Sequence, residues 1–67
     1  MIRQDVEKVL DEANFNEDQK MLFLELTSPY YGVRYTDTHV FLKLNMSRSR
    51  FYKIKKEVDT KIRRILN

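Results

Sequence analysis

The sequence has no cysteine, one proline and one glycine, and each scarcity restricts what the chain can be. Without cysteine there is neither a disulfide framework nor a thiolate metal site, and the composition suits a reducing compartment. We therefore expect a cytoplasmic location. Pro29 and Gly32 lie close together, so the rest of the chain lacks the residues that most often interrupt helices. We expect mostly regular structure with one interruption.

Long apolar runs are also missing. The longest, Met21 to Leu24, covers four residues, far fewer than the roughly 20 that a membrane-spanning helix needs. A glycine-rich phosphate loop and a spaced acidic pair are absent, and His39 is the only histidine. No nucleophile–base pair or metal-ligand set can be assembled, so we expect no enzyme, no cofactor and no membrane partner.

The composition that remains describes one small, highly charged domain. The chain has 67 residues, of which 42% are hydrophobic and 34% charged. Residues 1–27 carry three basic and seven acidic side chains, a net charge of −4, whereas residues 28–67 carry ten basic and three acidic ones, a net charge of +7. This asymmetry predicts that one end meets a polyanion. Chance segregation of charge is the alternative explanation.

Helical periodicity covers the acidic half. Residues 3–13 place Val6, Val9, Leu10 and Ala13 at helical spacing. Asn16 is a good N-cap, and the acids of "NEDQ" suit the first turn of a second helix over residues 17–27. The four-residue apolar run lies in this helix and is expected to be central to the core. Pro29 and Gly32 then end it.

The basic half predicts two more helices. Thr36 or Asp37 can cap a short third helix through Leu44, Asn45 and Met46 make a tight turn, and Ser47 caps a fourth helix that runs to about Leu66. We expect an all-α domain of four helices. Residues 1–67 form a single domain, with residues 1–27 as acidic helical support and residues 36–67 as a helix-turn-helix.

The fourth helix begins with "SRSRFYKIKK", which holds five cations and two aromatic residues. An apolar stripe at steps of three or four residues predicts the buried face, with Phe51 as its anchor. A second face carries cations in the first turns, where a helix can enter the DNA major groove. We therefore predict a surface for double-stranded DNA. Its residues are Ser47, Arg48, Ser49, Arg50, Tyr52, Lys53 and Lys56.

A family resemblance strengthens this prediction. The stretch "SRSRFYKIKKEVDTKIRRIL" resembles the recognition helix of region 4 of bacterial sigma factors, where a capping Ser or Thr precedes an arginine, a polar residue, an arginine and an apolar residue. It is also similar to the helix-turn-helix of ArpU-like phage regulators of late transcription, where Ser-x-Ser-x-Tyr/Phe-Tyr precedes basic residues. In both, "TDTHVFLKLNMS" corresponds to the positioning helix and turn. The positions that match are Ser47, Arg48, Arg50, Phe51, Ile54 and Ile62.

The resemblance covers about residues 17–66 and implies a DNA-binding transcription regulator of a phage or mobile element. RNA polymerase or another regulator would be its protein partner. Arg48, Ser49 and Lys53 would face bases, and Arg50 would lie nearer the DNA backbone.

The chain departs from the family pattern at two positions. The family has a small residue at the position of Phe41, and sigma factors have an acid at that of Ser49. Phe41 is expected to splay the two helices or to turn outward, and the sigma promoter element should not be assumed.

The sequence leaves two alternatives open. A protein-interaction module, which docks through the acidic N-terminal helices on a transcription-machinery subunit or a repressor, is the second functional hypothesis. A homodimer is an option that the sequence does not decide. It would form through the first helix or through Ile62, Ile65 and Leu66, and would place half-sites about one DNA turn apart.

Overall fold

The computed structural model describes the whole chain, residues 1–67. The first helix, α1, spans Arg3–Glu12, close to the predicted residues 3–13. It ends before Asn14, whose φ of 52° lies in the left-handed region that asparagine tolerates better than most residues. Val9 and Ala13 are buried and Leu10 is half-buried. The predicted apolar stripe of α1 therefore faces the core.

The second helix, α2, spans Glu17–Leu26 and begins with a capping box. Asn16 Oδ1 accepts from the Gln19 backbone N at 2.8 Å, and Gln19 Oε1 accepts from the Asn16 backbone N at 3.1 Å. Leu22 and Phe23 are fully buried, but Met21 and Leu24 are 36% and 46% exposed. Only half of the apolar run reaches the core, because consecutive residues of a helix point in different directions.

The connection after α2 contains the single glycine. The chain turns at Gly32, whose φ of +82° is strained for any residue with a Cβ. Its backbone N donates to the Tyr35 carbonyl at 2.8 Å, beside an isolated bridge between Tyr31 and Tyr35. This turn places Thr36 at the start of the next helix.

The third and fourth helices begin at the predicted caps. α3 spans Asp37–Lys43 and α4 spans Arg48–Leu66. Thr36 Oγ1 accepts from the His39 backbone N at 3.3 Å, and Ser47 Oγ accepts from the Arg50 backbone N at 3.2 Å. Because each cap satisfies an otherwise unpaired N–H, both helix starts are determined locally.

The central element of the fold is α4, which packs against each of the other three helices. The prediction of an all-α, four-helix domain is confirmed. None of the four helices has both the length and the apolarity that a bilayer span requires. The core consists of Val9, Ala13, Leu22, Phe23, Val40, Met46, Phe51, Ile54 and Val58.

Candidate nucleic-acid interface

The corner between α3 and α4 is held by backbone hydrogen bonds and by aromatic packing. Met46 N donates to the Phe41 carbonyl at 2.8 Å, and Asn45, with φ 58°, donates to the Leu42 carbonyl at 3.1 Å. Met46 is buried, and Phe51 is fully buried. The half-buried Phe41 ring lies 5.6 Å from the Phe51 ring, measured between centroids. Phe41 therefore turns inward and packs in the corner, so, of the two alternatives given for this residue, the outward orientation is wrong.

The predicted DNA-binding residues occupy the cap and the first turns of α4. Ser47 uses its hydroxyl as the N-cap. The Arg48 guanidinium lies over the Tyr52 ring, 5.8 Å from its centroid. Ser49, Lys53 and Lys56 are exposed. The N-terminal part of α4 thus presents hydroxyl, ammonium and guanidinium groups to solvent, while its apolar side is in the core.

A polar network joins α3 to α4 beside this surface. Tyr31 Oη donates a hydrogen bond to Asp37 Oδ1. Lys55 Nζ lies 3.2 Å from Asp37 Oδ2 and 3.1 Å from Tyr31 Oη. Tyr52 Oη donates to the same carboxylate at 3.3 Å. Asp37 therefore ties the first turn of α3 to two side chains of α4 and restrains the orientation of that helix.

The pKa values in this network favour a charged pair. Burial acts to raise the pKa of Asp37, but hydrogen bonds from Tyr31 and Lys55 and the charge of Lys55 outweigh it, so the pKa lies below its usual range. Burial acts to lower the pKa of Lys55, but its hydrogen bonds with Tyr31 and Asp37 raise it on balance. Burial and the hydrogen bond to Asp37 raise the pKa of Tyr31. At neutral pH, a neutral tyrosine therefore bridges a carboxylate and an ammonium group.

The acidic and basic halves of the chain touch at two ion pairs. The Arg50 guanidinium pairs with Asp18 in the first turn of α2. Lys43 Nζ lies 2.8 Å from Glu25 Oε1 and joins α3 to α2, and this hydrogen bond raises the pKa of Lys43. Arg50, which the resemblance places near the DNA backbone, therefore already has an acidic partner within the chain.

A second polar network lies where α2 meets the middle of α4. Gln19, 6% exposed, donates from Nε2 to Glu57 Oε1 at 3.2 Å and accepts from Lys61 Nζ at 2.8 Å. Lys61 also donates to the Asn14 carbonyl at 3.3 Å and lies over the Phe15 ring. Lys61 is therefore a structural cation that locks α4 onto the α1–α2 connection. Asn16 and Gln19 at capping-box spacing were a sequence signal for the role of Gln19 at the α2 start.

The cations of α4 divide into two groups. Four of the eight are occupied within the protein. Arg50 and Lys55 pair with Asp18 and Asp37, Arg63 lies 3.2 Å from Asp59, and Lys61 binds the oxygens described above. The other four have no acidic side chain within ion-pair distance. We call these the free cations, namely Arg48, Lys53, Lys56 and Arg64.

The aromatic loop before α3 has a largely structural role. Tyr31 and Tyr35 are half-buried, whereas Tyr30 is 48% exposed. The Tyr35 ring stacks on His39 at 4.3 Å. Arg34 lies over the Tyr30 ring at 5.5 Å. This loop adds one exposed aromatic side chain and one exposed cation to the surface.

The end of α4 is partly covered by its own domain. Ile62, Ile65 and Leu66, which the sequence offered as a dimer contact, are half-buried and pack against the core cluster. Only part of each side chain is therefore available to a second molecule.

Comparisons with known proteins found no matching family model, no matching curated protein and no matching solved structure.

Proposed function

We propose that this protein is a sequence-specific, double-stranded DNA-binding transcription regulator whose α4 enters the major groove. One observation carries the proposal. Half of the cations of α4 are engaged by acceptors within the chain, and the other half, the free cations, are exposed and unpaired. Unpaired cations on a rigid helix suit the phosphates and base edges of a duplex, since binding releases condensed counterions and needs no internal ion pair to break.

The arrangement of α3 and α4 supports this proposal. A short helix, a tight turn with Asn45 at positive φ, and a longer helix capped by Ser47 follow the layout of a helix-turn-helix. In that motif the N-terminal residues of the second helix meet the bases. Arg48 would then bind guanine O6 and N7 through its guanidinium fork, with Ser49 beside it.

Two polar contacts in the first turns of α4, Tyr52 with Asp37 and Arg50 with Asp18, support different roles for these neighbouring residues. Tyr52 is bonded to Asp37 and carries Arg48 above its ring, so we assign it to positioning Arg48. Arg50 would contact a phosphate only after exchanging Asp18 for it. The free cations Lys53 and Lys56 make no such exchange, and we assign them to the sugar–phosphate backbone or the groove edge.

The resemblance to sigma region 4 and to ArpU-like phage regulators extends the proposal. A regulator of this kind would come from a phage or mobile element, act in the cytoplasm, and contact RNA polymerase or another regulator. A homodimer would double the small footprint of one copy. These extensions rest on the match of "SRSRFYKIKKEVDTKIRRIL" to the family pattern and on the small size of the domain.

Selection of bound sequences from random duplex DNA tests the proposal. Once a preferred sequence is known, Arg48→Ala is expected to lose about 1–3 kcal/mol of binding free energy on it and to relax preference at one base pair. Arg50→Ala is expected to weaken preferred and scrambled duplexes alike, because a phosphate contact carries no sequence information. Equal, sequence-independent losses for Arg48, Lys53 and Arg50 would reduce α4 to an electrostatic pad. No enrichment of any duplex would refute the proposal.

The acidic half supports a second candidate function, a protein-interaction module. Asp11, Glu12 and Glu17 are exposed, have no basic partner within the chain, and lie on either side of the α1–α2 connection. A basic partner protein could dock there. Duplex binding separates the two functions. DNA binding through about five phosphates gives a log–log salt slope near −4 to −5, whereas a protein that acts only through these acidic residues binds no duplex.

A further inference from the structure

One of the free cations, Arg64, lies in the C-terminal half of α4. A helix that contacts DNA only through its N-terminal turns would not use this residue. Arg64 is exposed and unpaired, although its neighbour Arg63 pairs with Asp59 through an i, i+4 contact. Arg64 lies eight residues after Lys56 and eleven after Lys53. With 3.6 residues per turn, these three residues and Thr60 lie on one face of the helix.

The surface around this face is polar throughout. A shallow depression beside α4 has no hydrophobic residue in its lining, and it includes Lys53, Lys56, Thr60 and Arg64. Its inner wall is formed by Gln19, Glu57 and Lys61, where Gln19 donates to Glu57 Oε1 and accepts from Lys61 Nζ. Lys53, Lys56 and Arg64 have no acidic side chain within ion-pair distance. The rise of 1.5 Å per residue spreads them over about 16 Å of helix.

We infer that this stripe, Lys53, Lys56, Thr60 and Arg64, binds the phosphates of one DNA strand along the length of α4, with Arg64 as its distal contact. The inference rests on the proposed function and adds the direction in which the helix lies. A helix that touched DNA only with its first turns would leave Arg64 far from any phosphate. A helix that lies along one wall of the groove brings all three cations to the same backbone, where three positive charges match a row of negative ones.

The test compares two adjacent arginines in the full-length chain. The salt dependence of duplex binding is measured for the wild type, Arg64→Ala and Arg63→Ala, with preferred and scrambled duplexes. Both variants remove one positive charge at the same end of α4, but only Arg64 is free. Each phosphate contact contributes about 0.9 to the slope. The salt concentration is raised from about 50 to about 200 mM. Over this fourfold increase, a slope difference of about 0.9 means that the wild type loses about 3.5-fold more affinity than Arg64→Ala.

We expect Arg64→Ala to have the smaller salt slope and an unchanged ratio of affinities for the preferred and scrambled duplexes. We expect Arg63→Ala to change the salt slope clearly less. Arg64→Lys should keep the wild-type slope, because a backbone contact requires the charge and not the guanidinium fork. Equal slopes for the wild type and Arg64→Ala, or equal changes for the two arginines, would overturn the inference while leaving DNA binding intact. A change in base preference for Arg64→Ala would also overturn it. If the wild type binds no duplex, the proposed function itself fails.

Discussion

Phe51→Ala removes the fully buried ring of the α3–α4 corner. Phe51 is fully buried, and its ring centroid lies 5.6 Å from that of Phe41 and 5.1 Å from that of Tyr52. The substitution leaves a cavity whose walls are these two rings and the surrounding core. Because Tyr52 is held by its hydrogen bond to Asp37, we expect the cavity to collapse only in part.

The magnitude follows from this burial. Truncation of a buried phenylalanine to alanine costs about 3–5 kcal/mol, as lost transfer free energy and cavity formation together. A 67-residue domain has a free energy of unfolding of about 3–10 kcal/mol at typical values per residue. Phe51→Ala should therefore remove between a third and all of the stability. Phe51→Leu, which retains much of the volume, should cost about 1–2 kcal/mol and remain folded.

Urea unfolding, followed by far-ultraviolet circular dichroism, measures these losses. With a slope of about 1 kcal/mol per molar urea for a small domain, Phe51→Leu should lower the midpoint by about 1–2 M. Leu42→Ala is the matched control, because Leu42 is a large apolar residue of α3 that is 68% exposed. Its substitution should change stability by no more than about 0.5 kcal/mol. A folded Phe51→Ala protein with the wild-type midpoint would show that the buried face of α4 has been assigned wrongly.

Two further predictions concern the acidic residues that hold α4. Asp18→Asn should raise duplex affinity and steepen the salt slope by up to about 0.9, because it frees Arg50 for a phosphate. Asp11→Asn removes the same charge from an unpaired residue of α1, so equal gains for both variants would mean that only net charge matters. Asp37→Asn should lower stability at pH 6, as measured by urea unfolding. Since the pKa of Asp37 is lowered by folding, its contribution is present above the ordinary value of about 3.9 and is lost as pH falls through the lower folded pKa. The gap between wild type and Asp37→Asn should therefore close in acid, and a gap that persists at about pH 2 would contradict the role of the carboxylate.

The helix boundaries were predictable because they depend on short-range interactions. Asn16, Thr36 and Ser47 each cap a helix by accepting from a backbone N–H three residues later. Such a contact is complete within one turn, so neighbouring residues are sufficient to predict it. The buried stripe of α4 was predictable for a similar reason, since Phe51 and Ile54 recur with the helical period whatever they pack against.

The four-residue apolar run of α2 marks where periodicity stops being informative. Hydrophobicity alone did not separate the buried Leu22 and Phe23 from the exposed Met21 and Leu24. A run that is apolar on every side has no preferred direction, so the position of α4 decided which two residues were covered. The inward turn of Phe41 has the same origin, because the ring follows the space that Phe51 leaves in the corner.

The sequence by itself determined that α4 is a capped, basic helix with one apolar face, and the tertiary structure decided that Arg50 and Lys61 are occupied. In the sequence, neither Arg48 nor Arg50 has an acid at helical ion-pair spacing, whereas Arg63 follows Asp59 by four residues, so its pair is indicated by spacing alone. Arg50 is occupied because Asp18, 32 residues away in the chain, lies beside it after α2 packs on α4. Lys61 is occupied by Gln19, 42 residues away. Ion pairs and hydrogen bonds form only within a few ångströms. For Arg50 and Lys61, helical periodicity gives only the direction of the side chain, and the packing of α2 on α4 brings the partner within that range.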